Sequence, residues 1–257
     1  MSEENPYQAP ASNVEQPVEM GGLTEPRSVE AGRGVGWISE GFGLFKMAPG
    51  IWIANIVIFF IIVMIMSIIP FISLVMNIIM PVFTAGFMLG CRDLDKGENL
   101  QIGHLFAGFQ NRTGALIGVG ALYLLMIIVV MTVVFGGMFM FGGGMAMMED
   151  PEAMQSGMMG PGFMIAVLLG TALMIPVVMA YWFAPALVVF NEDLGVVEAM
   201  KMSFMGCLKN IIPFLIYGIV VMVLAVVASI PLMLGWLVLG PMLIASMYVA
   251  YKEVFTE

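Results

Sequence analysis

The most pointed chemistry in this 257-residue chain belongs to methionine. Between Met138 and Met164, nine of 27 residues are Met, against nineteen in the other 230. Met138 with Met140, and Met145 with Met147 and Met148, form MxM and MxMM groups, and thioethers select soft ions such as Cu(I). The run Gly142 to Gly144 supplies a backbone that would let two or three of these sulfurs fold around one ion. The plainer reading is packing. Met is abundant throughout the chain and serves as flexible apolar filler, and the segment contains no His or Cys, while Glu149, Asp150 and Glu152 give it a water-facing edge.

Other candidates are single residues. Asn55 and Asn77 interrupt apolar runs, so they either line a path for a neutral solute, with kinks at Pro81, Pro176 and Pro241, or hydrogen-bond between helices. His104 is the only histidine, and a metal site needs several ligands. Cys91 and Cys207 belong to no CxxC or metal-spaced cluster, which predicts two reduced, packed thiols. Gly34, Gly36, Gly41 and Gly43 precede no GKS or GKT, so they are not a phosphate loop. Near the start, Asn5, Pro6 and Tyr7 open an NPYQAP cluster that looks like the NPYxxP tag at the start of many bacterial membrane proteins. It reads as a docking motif for a protein partner or as a turn-forming tail. There is no HExxH, no Walker motif and no nucleophile paired with His and an acid. The sequence therefore calls for no cofactor and argues against an enzyme.

The elements around these residues are apolar. With 61% hydrophobic and 11% charged residues and a mean hydropathy of +1.01, the chain has far less charge than soluble domains carry. Forty-five uncharged residues separate Lys46 from Arg92, with Pro70 near their middle, enough for two crossings of a hydrocarbon core about 30 Å thick. The first arm, Ile51 to Ile69, holds thirteen Ile, Val or Phe residues. Asn210 to Tyr251 repeats that form around Pro231. Between them, crossings from about Gly114 to Phe135 and from about Phe163 to Phe183 flank the Met-rich segment, with Pro176 and Pro185 placed to kink or end the fourth. No Asp, Glu, Lys, Arg or His falls inside a crossing, which counts against a proton-coupled pump.

Each hairpin follows an amphipathic connector. Ile38, Phe42 and Phe45 share one side of the first, Ile102, Leu105, Phe106 and Phe109 of the second, and Val197, Met200, Phe204 and Leu208 of the third. The fold expected is an all-α membrane protein of six transmembrane helices in three hairpins, each preceded by a short interfacial helix. The units span about 33–92, 97–190 and 195–252, after a solvated, disordered tail at 1–32 that holds six of the eighteen acids. The first and last units match best, with Ser67 to Pro70 against Ser229 to Pro231, which suggests an internal repeat. With the N-terminus inside, all nine Lys and Arg residues fall on the cytosolic side. That places both termini in the cytosol and the protein in a bacterial inner membrane, with the lipid bilayer as its first partner. No basic patch supports nucleic-acid binding.

The run GRGVGWISEGFGLFKMAPGIWI, the later GFMLGCRDLDKGENLQIGHLFAGF, and PALVVFNEDLGVVEAMKMSFMGCLKN resemble a family of uncharacterised integral membrane proteins of Proteobacteria over roughly residues 30 to 255. More distantly, the connector-and-hairpin plan looks like the membrane domain beside some glycerophosphodiester phosphodiesterases. The soluble catalytic domain of those enzymes has no counterpart in this sequence, so the resemblance implies a fold and a location but no catalytic residues. The function expected is a non-enzymatic scaffold or accessory factor acting through protein or lipid contacts. A solute facilitator and a Cu(I) handler are the alternatives.

Overall fold

A computed structural model describes residues 22–68, 72–141 and 161–257. Among them the chain forms α1 (Arg33–Met47), α2 (Pro49–Ser67), α3 (Ile72–Asp95), a 3-10 helix (Ile102–Phe109), α4 (Thr113–Phe141), α5 (Pro161–Trp182), α6 (Ala184–Phe190), α7 (Val196–Lys209), α8 (Ile211–Ser229) and α9 (Trp236–Phe255). Six of these are long and apolar enough to cross a membrane: α2, α3, α4, α5 with α6, α8 and α9. The all-α, six-helix architecture is as the sequence predicts.

Local sequence explains the boundaries. Pro49 opens α2 in the first turn, where a missing N–H leaves no bond unmade. At the other end of the hairpin, α3 stops at Gly97, whose φ of 79° suits a residue without Cβ. There the Glu98 N–H reaches the Asp93 carbonyl at 2.8 Å and the Gly97 N–H reaches Leu94 at 3.0 Å, the two bonds of a Schellman cap. Pro176 lies inside α5, whereas the helix breaks at Phe183 and restarts as α6 with Pro185 in its first turn. The fourth crossing is therefore kinked rather than ended.

The crossings do not share the interior equally. α3 is 61% buried along its span and α9 50%, while α2, α4, α5 and α8 are each 17% buried. The first two form the centre. The other four turn Phe60, Met64, Leu125, Val129, Leu168, Leu215, Met222 and Val226 outward. At about 25 cal/mol per Å² of apolar surface, such a belt is costly in water and fits the hydrocarbon of a bilayer.

The connectors pack in a cycle. The 3-10 helix lies on α3 and α7 lies on α5, in each case the second arm of the preceding hairpin; α1 lies on α9, the second arm of the last. First and last units are thereby joined, and α1 runs antiparallel to α9. Gly41 permits this contact, because a Cβ there would come within 2.6 Å of the Ser246 nitrogen and 2.7 Å of the Met242 carbonyl oxygen. The apolar faces read from sequence are split between two environments. Ile38 and Phe45 are buried on α9 while Phe42 is exposed, and Leu105 is buried on α3 while Ile102, Phe106 and Phe109 are exposed. The middle connector is a 3-10 helix instead of an α-helix.

Candidate functional site

The polar side chains of the described residues gather on the connector face, and most of them hold elements together. Residues 22–32, within the stretch expected to be a solvated tail, run as a strap across this face. The last carbonyls of α9 have no intrahelical partners, and the strap supplies them. Thr24 N–H donates to Phe255 O at 2.8 Å, Arg27 N–H to Val254 O at 3.0 Å, and the Arg27 guanidinium to the Glu253 carbonyl. Asn210, fully buried between α7 and α8, ties down the rest. Its Oδ1 accepts from Val29 N–H at 2.8 Å, and its Nδ2 donates to Arg27 O and Gly206 O, each at 2.9 Å.

Beside the strap, Arg33 bonds Glu253 at 2.6 Å and Glu40 at 2.7 Å, while the Trp37 indole donates to the other Glu253 oxygen at 2.6 Å. The hydrogen bond to Glu253, then the one to Glu40, raises the Arg33 pKa above its ordinary value, so it stays charged. Lys252 pairs with Asp95 at 2.5 Å, and Tyr248 donates to the same carboxylate at 3.1 Å. These groups border a cleft of about 480 Å³ between strap, α1, α3 and α9. Arg33, Glu40, Glu253, Lys252 and Asp95 in its lining already engage one another, which suits a rigid junction better than capture of a charged ligand.

Three further residues are mechanical. His104 Nδ1 accepts the Gln101 N–H at 2.9 Å, so its proton sits on Nε2, which donates to Asp93 at 2.8 Å. The lone histidine pins its connector to α3. Arg112, at φ 53°, donates to the carbonyls of Val188 and Leu194 at 3.0 Å and to that of Asn191, closing the C-terminal end of α6 with a cation. Ser203 lies between broken bonds. Phe183 N–H, which would reach Met179 O in a continuous helix, donates instead to Ser203 Oγ at 2.9 Å, and the hydroxyl donates on to Met179 O at 2.7 Å.

The residues singled out from sequence are not brought together. Asn55 is fully buried and donates to Gln101 O at 3.3 Å, joining α2 to the second connector. Asn77 is half-buried near the start of α3. Ring contacts of Trp52 with Phe87 and of Phe59 with Phe83 and Phe87 set Asn55 level with about Phe87, ten residues from Asn77 and so about 15 Å from it along the hairpin at about 1.5 Å per residue. Met138 and Met140 belong to the last turns of α4, whereas Met145, Met147, Met148, Asn5, Pro6 and Tyr7 lie outside the described residues. Cys91 and Cys207 are free and buried, and burial pushes the Cys207 thiol up to about 12. Sequence reading passed over Ser203 and Asn210. The available signal was position: Ser203 falls on the buried stripe of α7 with Met200 and Cys207, where a hydroxyl needs partners.

A curated relative accounts for the location. A probable inner membrane protein of Burkholderia thailandensis is 33% identical over 216 residues, covering 78% of this chain and 76% of the relative. This chain belongs to that inner membrane protein family. No family model matches the chain, and no solved structure matches it. For this family member, the six apolar helices and their outward-facing belt are the structural basis of residence in the membrane.

Proposed function

We propose that this inner membrane protein is a non-enzymatic scaffold or accessory factor, with both termini in the cytosol, that presents its N-terminal segment to a protein partner. The observation that carries the reading is the strap. Thr24, Arg27 and Val29 fix residues 22–32 to α9 and Asn210, and this anchored stretch follows the NPYQAP cluster with Asn5, Pro6 and Tyr7 in the sequence. Side chains around it engage one another: Arg33 with Glu40 and Glu253, Lys252 with Asp95, His104 with Asp93. The connector-and-hairpin plan is also similar to the membrane domain beside glycerophosphodiester phosphodiesterases, a likeness of architecture that carries no activity.

The test is co-purification of the detergent-solubilised full chain and of a chain lacking residues 1–21. Deletion is expected to leave the melting temperature unchanged and to release a partner that the full chain retains. Identical co-purifying proteins from both would remove the docking role. Extending the deletion through residue 32 is expected to lower the melting temperature, because the carbonyls ending α9 lose their donors.

A further inference from the structure

A second depression lies between α4, α5 and α7. It encloses about 490 Å³, within the range of small-molecule sites, and is lined by Leu122, Met126, Pro176, Ala180, Phe204 and neighbouring apolar residues of α7. Lys201 is the one charged residue in that lining. α7 places it there because Val197, Lys201, Phe204 and Met205 follow helical spacing along one face, opposite the buried stripe of Ala199, Ser203 and Gly206. Two lining helices, α4 and α5, are spans that expose most of their surface as apolar belt, so the depression opens within that belt.

What sets Lys201 apart is its place in the groove lining. Among the described residues, ion pairs hold Arg33, Arg92 and Lys252, and none holds Lys46, Lys96 or Lys201; Glu198, one turn before Lys201 on α7, forms no ion pair with it. Lys209 donates to Pro26 O and Arg112 to three carbonyls, whereas Lys201 is exposed. An apolar trough with a single cation on an amphipathic helix is complementary to an anionic amphiphile. Its tail lies in the trough, and its headgroup charge meets the ammonium at the polar boundary.

We propose that the groove between α4, α5 and α7 binds one anionic phospholipid, with an acyl chain against Leu122, Met126, Pro176 and Phe204 and the headgroup phosphate on Lys201. Pro176, exposed on α5, adds its ring carbons to the lining.

The experiment is a lipid titration of the purified full chain in a neutral detergent, read as thermal shift and, by native mass spectrometry, as the number of lipids retained. Phosphatidylglycerol is expected to bind at one site and to stabilise more than phosphatidylcholine of the same chains, while glycerol 3-phosphate alone has no effect. Lys201→Gln is expected to weaken phosphatidylglycerol about fivefold, the factor corresponding to about 1 kcal/mol per lysine beside an anionic headgroup. Lys201→Arg should keep the preference, and Leu122→Trp, which narrows the trough, should weaken both lipids. Lys96→Gln, at an exposed lysine outside the groove, should change nothing. Equal affinity for the two lipids in the wild-type chain would overturn the proposal. So would a preference that survives Lys201→Gln, or a Lys201→Gln effect on oligomer size with lipid binding unchanged, which would assign the groove to a second copy.

Discussion

Ser203 shows how one hydroxyl permits a kink in a crossing helix. At Phe183 the helix gives up a main-chain bond, and both groups would be stranded if nothing intervened. The Ser203 side chain is completely buried and completes the circuit from Phe183 N–H to Met179 O. Removing it leaves the Phe183 N–H without a partner, at a cost of about 1–3 kcal/mol when buried, and leaves Met179 O only the weak donor Cys207 Sγ at 3.6 Å. Ser203→Ala is therefore expected to lower the detergent-solubilised melting temperature clearly. Ser28→Ala, which removes an exposed 3.3 Å bond to Lys209 O, should shift it only slightly. Equal shifts would mean that the bridge contributes nothing. Asn55 is only half satisfied: its Nδ2 donates to Gln101 O, while its buried Oδ1 has no hydrogen-bond partner among the described residues. From sequence it is an intramembrane polar residue with two readings, and its bond to Gln101 O favours the one in which it joins elements.

At the scale of elements, the six spans were legible because an uncharged run of about 20 residues has few other uses, and the connectors because their apolar residues follow helical spacing. Their partners were not legible. Helical periodicity says that Ile38 and Phe42 lie near one another, but not that α9 covers the first and leaves the second exposed. The strap was hidden for a related reason: Pro-rich, polar composition describes a segment's own inability to form a core, while its donors are used by the end of a helix about 230 residues later. The seam between the 3-10 helix and α3 can be tested through its glycines. A Cβ on Gly86 would meet the main-chain carbonyls of His104 and Leu105, whereas one on Gly103, in the same connector, meets nothing within 4 Å. Gly86→Val is expected to lower the hydrogen-exchange protection of residues 102–109 and the melting temperature, leaving α8 unchanged. Gly103→Val should affect exchange little. Similar loss in both would indicate that the connector responds to glycine replacement in general and not to the close approach.

For the whole molecule, the distribution of charge and the packing of connectors bear on one question, which side faces the cytosol. All nine Lys and Arg residues fall on the connector side of the six spans, and an excess of positive charge in short loops orients helices with that side inward. The structure adds that these residues are built into the connector face: Arg33 and Lys252 in ion pairs, Lys209 on the strap, and Arg112 closing α6. Turning the molecule over would carry that entire assembly across the membrane, so orientation is a property of the folded face and not of one loop. Labelling of intact cells with a membrane-impermeant maleimide tests this directly. The two native thiols are buried, and with the Cys207 thiol pushed up to about 12 almost none of it is thiolate at neutral pH, so their background should be small. A cysteine replacing Gln155, between the arms of the second hairpin, is expected to react from outside. One replacing Gln110 is expected to react only after the cells are permeabilised. Gln110 is preferable to Gln101 for this purpose because Gln101 forms the capping box with His104 that starts the 3-10 helix, and its loss would disturb the face being mapped. Labelling of Gln110→Cys but not Gln155→Cys from outside would place the connector face in the periplasm, and with it the strap and the proposed docking segment.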